Sequence, residues 1–344
     1  MNLVLSVVFF VLLFPYSVHA EANWDAVPVK RVQLFYPGTA SWEYLVGKEH
    51  AVGAGAVIRG EKKCQDCHEN EGIVNIRADE IVKGKLYTKN STVALEPLPP
   101  VGIPGLLELE IQAAYDAENF YLKLKWPSPE GASSKDLSLN DKGLADIVSI
   151  QLNGNIKSFS KAGCFITCHD DMANMPVSPT EADVMAAPFY AKQKRRDVRH
   201  YTYYTRNKGW AGLKPDHELE RYLKAEGFID LWVAGFKGQE VVFSDESVLS
   251  DRIKDLSQDI SAQGFWQGGF YTVVIERKLT TIDKMDIRLR EGKGFYMGLA
   301  VYDNKNGNRR HYVSFPLSVE LGGKKADVIA VKTMVEVPQA KESF

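Results

Sequence analysis

The sequence is short of several features that mark common classes of protein. Neither charge sign is in excess, with 42 Lys and Arg against 44 Asp and Glu in 344 residues, which argues against nucleic acid or an anionic membrane as the main partner. The longest apolar run, Leu3 to Phe14, is too short to span a bilayer. Cysteine is also scarce: four cysteines form two close pairs, and each pair is followed directly by histidine.

The first twenty residues have the pattern of a secretory signal peptide. The apolar run is followed by Pro15 and then by Val18-His19-Ala20, which suits cleavage after Ala20. The stretch before the run lacks Lys and Arg, so an uncleaved anchor stays open as an alternative. We expect an exported or periplasmic mature chain that starts near Glu21 and contains no membrane span.

The first cysteine pair predicts a covalently attached haem. Cys64-Gln65-Asp66-Cys67-His68 has the C-x-x-C-H spacing of c-type haem attachment. In that pattern two thiols bond the vinyl groups of one haem, and the adjacent His68 becomes the proximal iron ligand.

The second pair, Cys164 and Cys168, is followed by His169 and has one more residue between its thiols. C-x-x-x-C-H is a rarer variant of the same device, so the sequence predicts two c-type haems. Two alternatives stay open: a redox disulfide in the first pair, although no thioredoxin-like alternation surrounds Cys64, and a structural zinc held by all four thiols, which leaves both histidines unexplained.

Six-coordinate haems need a second axial ligand, normally His or Met. For the first haem we predict His50, which precedes Cys64 across a stretch of small residues. For the second we predict His200, with Met175 and Met185 as alternatives. Met175 lies six residues after His169, roughly 20 Å when fully extended, so it would be taut.

The rest of the chain predicts a mainly β fold, a β-sandwich built from strands with alternating apolar residues. The predicted strands are Leu107 to Ile111, Asn119 to Trp126, Asp146 to Leu152, Phe228 to Phe236, Phe270 to Lys278, Phe295 to Tyr302 and Tyr312 to Val319. A helix is predicted over Asp216 to Ala225, whereas Asp245 to Gly269 is polar with weak helical periodicity and receives no function.

These patterns divide the chain into four parts. They are the signal peptide (1–20), a small helical and loop segment with the first haem (21–100), a haem-binding β-sandwich (101–325) and a C-terminal tail (326–344). The second haem falls in an insertion, 153–227, that interrupts the sandwich. Within that insertion, His200 to Tyr204 is aromatic and polar, so it could wall a haem or form an edge strand.

Several stretches resemble the exported cytochromes built on the ethylbenzene-dehydrogenase-type haem-binding domain. They are Ser41 to His50, Gly60 to Glu69, Gln112 to Leu122, and Gly163 to Met172 with Met175-Pro176. The stretch from Ala113 to Leu122 and the late Gly-Phe-Tyr strands are also similar to family 9 carbohydrate-binding modules, whose sandwich that haem domain shares.

The resemblance implies a β-sandwich that holds one haem near its end. In the enzyme subunit that names the family, this haem is a non-covalent b type held by Met and Lys. The present chain departs from that pattern by supplying Cys164, Cys168 and His169, which favour a covalent haem. Arg196 to Tyr201 resembles the family segment with a Lys-Tyr pair, and His200 stands where that lysine would be.

The sequence therefore predicts a dihaem electron carrier that exchanges electrons with redox partner proteins and could be a subunit of a larger respiratory complex. The alternative is an enzyme in which one iron stays open for a small ligand such as nitrite or peroxide. A haem-decorated sensor or carbohydrate-binding module has less support. No catalytic Ser/His/Asp order, nucleotide-binding glycine motif or molybdenum signature is visible, so whether the chain is an enzyme stays undecided.

Overall fold

The computed structural model of the chain describes residues 22–36, 54–83, 102–129, 131, 144–153, 155–166, 180–192, 194, 203–205, 213–250, 252–255, 257, 259–303 and 311–333. Strands dominate this part of the chain, as the sequence predicted. None of the helices within it is long and apolar enough to cross a membrane.

Fifteen strands are described. They are β1 (Lys30–Phe35), β2 (Glu69–Asn70), β3 (Ile73–Val74), β4 (Leu106–Tyr115), β5 (Asn119–Pro127), β6 (Asp146–Asn153), β7 (Ile229–Lys237), β8 (Glu240–Val248), β9 (Arg252–Lys254), β10 (Ile260–Gln267), β11 (Phe270–Lys278), β12 (Gly294–Asp303), β13 (Tyr312–Val313), β14 (Leu317–Leu321) and β15 (Val328–Lys332).

The described helices are short and lie between strands. They are α1 (Ala54–Ile58), α2 (Gln65–His68), α3 (Ala78–Val82), α4 (Phe159–Ala162), α5 (Glu181–Ala186), α6 (Pro188–Lys192) and α7 (Asp216–Lys224), with 3-10 turns at Trp24–Ala26, Gly163–Ile166 and Tyr203–Thr205. The predicted helix after Asp216 is confirmed. Tyr203–Thr205 is a 3-10 turn rather than part of an edge strand.

Thirteen of the strands form one folded sheet in the order β10-β11-β5-β4-β1-β13-β12-β6-β7-β8-β9, with β14 and β15 bridging β12 and β4. Its two halves face each other around an aromatic core. The ring centroids of Trp126 on β5 and Phe236 on β7 are 5.8 Å apart, although these strands are not neighbours in the sheet. Such packing of apolar side chains from two facing layers is the arrangement of a β-sandwich, which confirms the predicted fold class.

The β4–β5 hairpin shows how local sequence sets this framework. Asp116 stands at the turn, and its Oδ1 accepts hydrogen bonds of 2.7 Å from the backbone N–H groups of Glu118 and Asn119. Aspartate favours such turns because its side chain can replace a backbone acceptor. The turn fixes a register in which Tyr115 faces Phe120, so the apolar residues of both strands point into the core.

Two expectations for the later part of the chain were wrong. The polar segment from Asp245 to Gly269 is not helical: it contains the end of β8, β9 and β10. Its residues gain cross-strand partners on β7 and β11, and this pairing outweighs weak local periodicity. Tyr312 to Val319 forms two strands, β13 and β14, with Pro316 between them, because proline has no N–H group to donate to a sheet.

The sheet draws strands from both sides of the domain boundaries placed at residues 100 and 325. β1, which lies in the predicted N-terminal segment, pairs antiparallel with β4. β15, from the predicted tail, runs parallel to both β14 and β4. The boundaries themselves stay a prediction, but the strands on either side belong to one sheet.

Candidate functional site

The first cysteine cluster sits on a single helical turn. Asp66 starts the turn, since its Oδ2 accepts a 2.8 Å hydrogen bond from the N–H of Lys63. The N–H groups of Cys67 and His68 both donate to the carbonyl of Cys64, at 3.2 and 3.0 Å. Cys67 is exposed, whereas Cys64 and His68 are half-buried. The turn thus presents two thiols and an imidazole from one compact piece of backbone.

A few hydrogen bonds attach this turn to the sandwich. The Cys64 N–H donates to the Lys161 carbonyl at 3.0 Å, and Gln65 Nε2 donates to the Pro316 carbonyl at 3.2 Å. The strand after the turn is held as well, because the Val74 N–H donates to Gln33 Oε1 of β1 at 3.0 Å. These contacts place residues 54–83 against the outer face of the sheet.

The second cluster begins in the 3-10 turn Gly163–Ile166, directly after α4. Gly163 has φ 60°, a left-handed conformation that glycine adopts without steric cost. The turn lies against Gly298 of β12, where a Cβ would be 3.2 Å from the ring of Phe159 and 3.5 Å from the Cys164 nitrogen. The lack of a side chain on β12 therefore allows Cys164 to approach the sheet closely.

The two clusters meet on one apolar surface, the outer apolar cluster. Its buried members are Phe35, Val74, Ala78, Ile156, Phe159, Ala162, Phe165, Ile166, Ile229, Leu231, Val248, Ala300, Tyr302, Val313 and Phe315, and both Cys64 and Cys164 pack against it. Burial raises the pKa of each thiol to about 12, and the nearby Cys64 acts in the same direction on Cys164. Both groups are therefore neutral thiols at physiological pH in the polypeptide.

A cavity of about 410 Å³ is lined by residues of both segments that carry the cysteine clusters. Its lining includes Arg59 and Gly60 from the first segment, Lys157 and Ser158 at the start of α4, and Tyr204 and Tyr222 from the insertion. The rings of Tyr204 and Tyr222 meet edge to face, 5.4 Å apart. Tyr204 belongs to the stretch that the sequence suggested could wall a haem, and it lies here between the two cysteine-bearing segments.

Comparison with known proteins places the chain in a family. Residues 96–314, which include the strands from β4 to β13, match the ethylbenzene dehydrogenase family. The chain belongs to the ethylbenzene dehydrogenase family. The match contains Cys164, Cys168 and His169, whereas the first cluster lies before its start. The resemblance to the ethylbenzene-dehydrogenase-type haem-binding domain, inferred from the sequence, is confirmed.

Two curated relatives are similar over nearly the whole chain, and both are cytochromes. Cytochrome c-552 of Stutzerimonas stutzeri is 27% identical over 91% of this chain and 91% of its own length. Cytochrome c-551 of Rhodocyclus tenuis is 24% identical over 90% of this chain and 99% of its own length.

Two solved structures of a family 9 carbohydrate-binding module from Caldicellulosiruptor kristjanssonii are also similar, both at TM-score 0.28. The one in complex with glucose is 9% identical and covers 62% of this chain and 70% of that chain. The one in complex with cellotriose is 7% identical and covers 70% and 84%. At this score the likeness adds nothing to what the strand pairing establishes.

Several of the predicted ligands of this family member fall outside the described residues. Cys168, His169, His50, His200 and Met175 are in this group, and their roles stay predictions. Met185 is described on α5, where 51% of it is exposed. Two other histidines are also visible: His217 is exposed on α7, and the His311 ring stacks on Tyr302 at 4.6 Å.

The disulfide and zinc alternatives gain nothing from the described cysteines. No disulfide joins the described cysteines Cys64, Cys67 and Cys164 to one another. Within the described part of the chain, the one group of three or more potential metal ligands that converge contains no cysteine.

That convergent group is acidic and was missed from sequence. Asp245, Asp255, Asp259 and Asp286 come together at one end of the sandwich. They are spread over four segments that only the β-sheet pairing joins, so no motif announces them. The alternation of Asp255, Ser257 and Asp259 is the signal that could have drawn attention to this region.

Proposed function

We propose that this chain is an exported dihaem c-type cytochrome that relays electrons between redox partner proteins. The observation that carries the proposal is the position of the two cysteine clusters, which share the outer apolar cluster and are joined by the hydrogen bond from the Cys64 N–H to the Lys161 carbonyl. The cytochrome relatives, similar over nine tenths of the chain, support it.

The chain's residues fit the attachment of haem. Cys64 and Cys67 would hold the first group by thioether bonds, with His68 beneath it, and Cys164 and Cys168 would hold the second with His169. The iron supplies a one-electron redox change when the group is bound. Phe159, Phe165 and Phe315 offer an apolar surface that excludes water from the attached group.

The distal ligands decide whether each haem iron is six-coordinate or has an open site for a small ligand. We propose His50 for the first haem and His200 for the second, where His200 stands in the place of the family lysine. Met175 and Met185 are the alternatives for the second haem. The exposure of Met185 argues against it, because a ligand to an iron on the outer apolar cluster must face that cluster. Two imidazole ligands favour ferric iron and lower the potential relative to a His/Met pair.

Adjacency of the two clusters gives the relay a physical basis. Groups attached at Cys64 and Cys164 would rest on one apolar surface, so an electron could enter at one and leave at the other without crossing solvent. Cys67 is the exposed side of the first cluster, which makes this side the natural point of contact with a partner protein. The chain could equally serve as one subunit of a respiratory complex.

The location follows from the same chemistry. Covalent attachment of haem to paired thiols suits an exported chain, and residues 1–20 have the pattern of a signal peptide. We therefore place the mature protein in the periplasm or a comparable exported compartment, after cleavage near Ala20.

The decisive experiment is expression in a host that matures c-type cytochromes, followed by intact mass spectrometry and optical spectroscopy. We expect the mass of the mature chain plus two haems, two electrons taken up per chain in a redox titration, and no reaction of the reduced protein with CO. A mass with no haem would overturn the proposal. Binding of CO by the unmodified protein would instead indicate an open iron and an enzyme acting on a ligand such as nitrite or peroxide.

A further inference from the structure

A buried polar region closes the end of the sandwich where β8 approaches β10. Asp245 lies on β8 directly opposite Trp232 of β7, so its side chain points to the interior face of the sheet. Asp255 and Asp259 flank the turn between β9 and β10, and Asp286 lies in the segment between β11 and β12. One carboxylate oxygen from each of these four residues, the acidic cluster, lies within 4.8 Å of the others.

Asp245 is the member that requires an explanation. It is only 5% exposed, and neither of its carboxylate oxygens has a hydrogen-bond partner among the described residues. Buried carboxylates are rarely left without partners, because water no longer solvates them and nothing replaces it. Both oxygens of Asp245 are therefore available to a group that the described part of the chain does not supply.

The nearby cations are already engaged. Arg277 donates to Asp230 Oδ2 at 3.1 Å and to the Ile287 carbonyl at 2.8 Å, and its Nη2 lies 3.3 Å from Asp286. Arg252 forms an ion pair with Glu246. Among the described residues, no hydrogen bond or ion pair joins a cationic side chain to Asp245. The region thus holds more carboxylates than positive charges.

We propose that Asp245, Asp255, Asp259 and Asp286 bind one calcium ion. All four donors are carboxylate oxygens, the ligands that hard divalent cations prefer. Ca²⁺ takes roughly six to eight oxygen ligands, whereas Mg²⁺ usually keeps several waters and binds through only about one or two carboxylates, so four converging carboxylates favour calcium. The lack of nitrogen and sulfur donors disfavours zinc.

Ser257 positions two of the proposed ligands: its N–H donates to Asp255 Oδ1 at 2.9 Å, and its hydroxyl donates to Asp259 Oδ1 at 2.8 Å.

The ion would act as a structural clamp. It would join β8, the β9–β10 turn and the segment before β12, three parts of the chain that meet only at this end of the sandwich. The site lies in the interior layer, whereas the cysteine clusters lie on the outer apolar cluster. Calcium binding is therefore independent of the proposed electron relay.

The test uses the full-length, haem-loaded protein, freed of metal with EDTA and dialysed. Titration with CaCl₂ in a calorimeter should give one ion per chain, and thermal unfolding should shift upward by roughly 4 °C at calcium about 100-fold above its dissociation constant. Absence of both heat and thermal shift in the unmodified protein would overturn the proposal. Equal or tighter binding of Mg²⁺ would overturn the assignment to calcium.

Variants then locate the site. Asp245→Asn should weaken calcium binding by about 100-fold or more and Asp259→Asn by about tenfold, because fewer charged ligands remain. Asp259→Asn decides the matter if Asp245→Asn does not fold. Asp25→Asn, which makes the same charge change at an exposed residue, is the matched control and should bind calcium like the unmodified protein. Unchanged binding by Asp259→Asn would place any calcium elsewhere, and the haem-to-protein ratio should be the same in all variants.

Discussion

The two cysteine clusters, for which we propose the same chemistry, lie in different structural settings. The first is a small segment attached to the surface of the sandwich by a few hydrogen bonds, with Cys67 exposed. The second belongs to the insertion between β6 and β7, and it is flanked by buried Phe165 and Ile166 against β12. Only the second lies within the residues that match the family. Under the proposed function, one haem site would thus belong to the family fold and the other would be an addition to it.

The largest test of this comparison removes one cysteine pair at a time. Cys164→Ala with Cys168→Ala should halve the haem content and lower the free energy of unfolding by about 3 kcal/mol, because a filled apolar site becomes empty. Cys64→Ala with Cys67→Ala should also halve the haem content but cost only about 1 kcal/mol, because fewer buried groups lose contact. Intact mass spectrometry and chemical denaturation measure both effects. A larger loss of stability from the Cys64/Cys67 variant than from the Cys164/Cys168 variant would mean that the first cluster, and not the second, is the more firmly built into the sandwich.

The second test removes one distal ligand at a time and leaves the haems attached. His50→Ala and His200→Ala should each keep two haems per chain and convert about half of the reduced haem to a CO-binding form, because each change removes one distal ligand. Absorption spectra with and without CO measure the result.

His217→Ala is the matched control for both histidine variants, since this exposed histidine on α7 has no assigned role. Met175→Leu and Met185→Leu should leave the spectrum unchanged. A spectral change in either methionine variant, with none in His200→Ala, would give the second haem a thioether ligand.

The third test concerns the contact between β12 and the second cluster. Gly298→Val places a side chain against Phe159 and Cys164, so it should lower stability by about 1–3 kcal/mol and reduce attachment of the second haem alone. Gly294→Val on the same strand is the control, because Gly294 is exposed and an added Cβ there meets only the Val319 carbonyl oxygen. Equal loss of haem from Gly298→Val and Gly294→Val would show that the close contact at Gly298 is not what the second haem requires.

The smallest test addresses how the first cluster is attached. Gln65→Ala removes the hydrogen bond to the Pro316 carbonyl and should cost about 0.5–1 kcal/mol of stability. Haem content should not change, because Cys64, Cys67 and His68 are untouched. Denaturation of the matured protein measures the effect, and a drop in haem content would mean that this contact is required for attachment.

The sequence alone predicted the β-sandwich but not all of the strands that complete its sheet. β5, whose apolar residues alternate, and β11, a run of aromatic and β-branched residues, were predicted almost to the residue because both signals are visible locally. β8 and β10 were missed because their polar composition resembles a surface helix, and only their partners on β7 and β11 define them as strands. β1 was missed because its partner β4 lies far away in the sequence. β15 was assigned to the tail although it pairs with both β14 and β4.

The candidate site also has parts that the sequence predicts and parts that depend on the tertiary fold. Cys64, Cys67 and His68 were predicted because their chemistry depends on spacing along the chain, which a sequence displays directly. That Cys64 would lie beside the turn of Cys164 could not be predicted, since this depends on the Lys161 and Pro316 carbonyls meeting the first segment. The acidic cluster was invisible for the same reason: Asp245 and Asp286 approach each other only through tertiary packing.

The shared edge of β4 has a consequence for the order of events during maturation. β1 pairs with Leu106 to Ile111, and β15 pairs with Ala114 and Tyr115, so strands from opposite ends of the described sequence complete one edge. Contacts between such distant segments form slowly because a long loop must close first. A chain exported from its N-terminus, as proposed above, therefore presents both cysteine pairs before its last described strand arrives. Under the proposed function, this delay would leave time for haem attachment at Cys164 while the thiol is still uncovered.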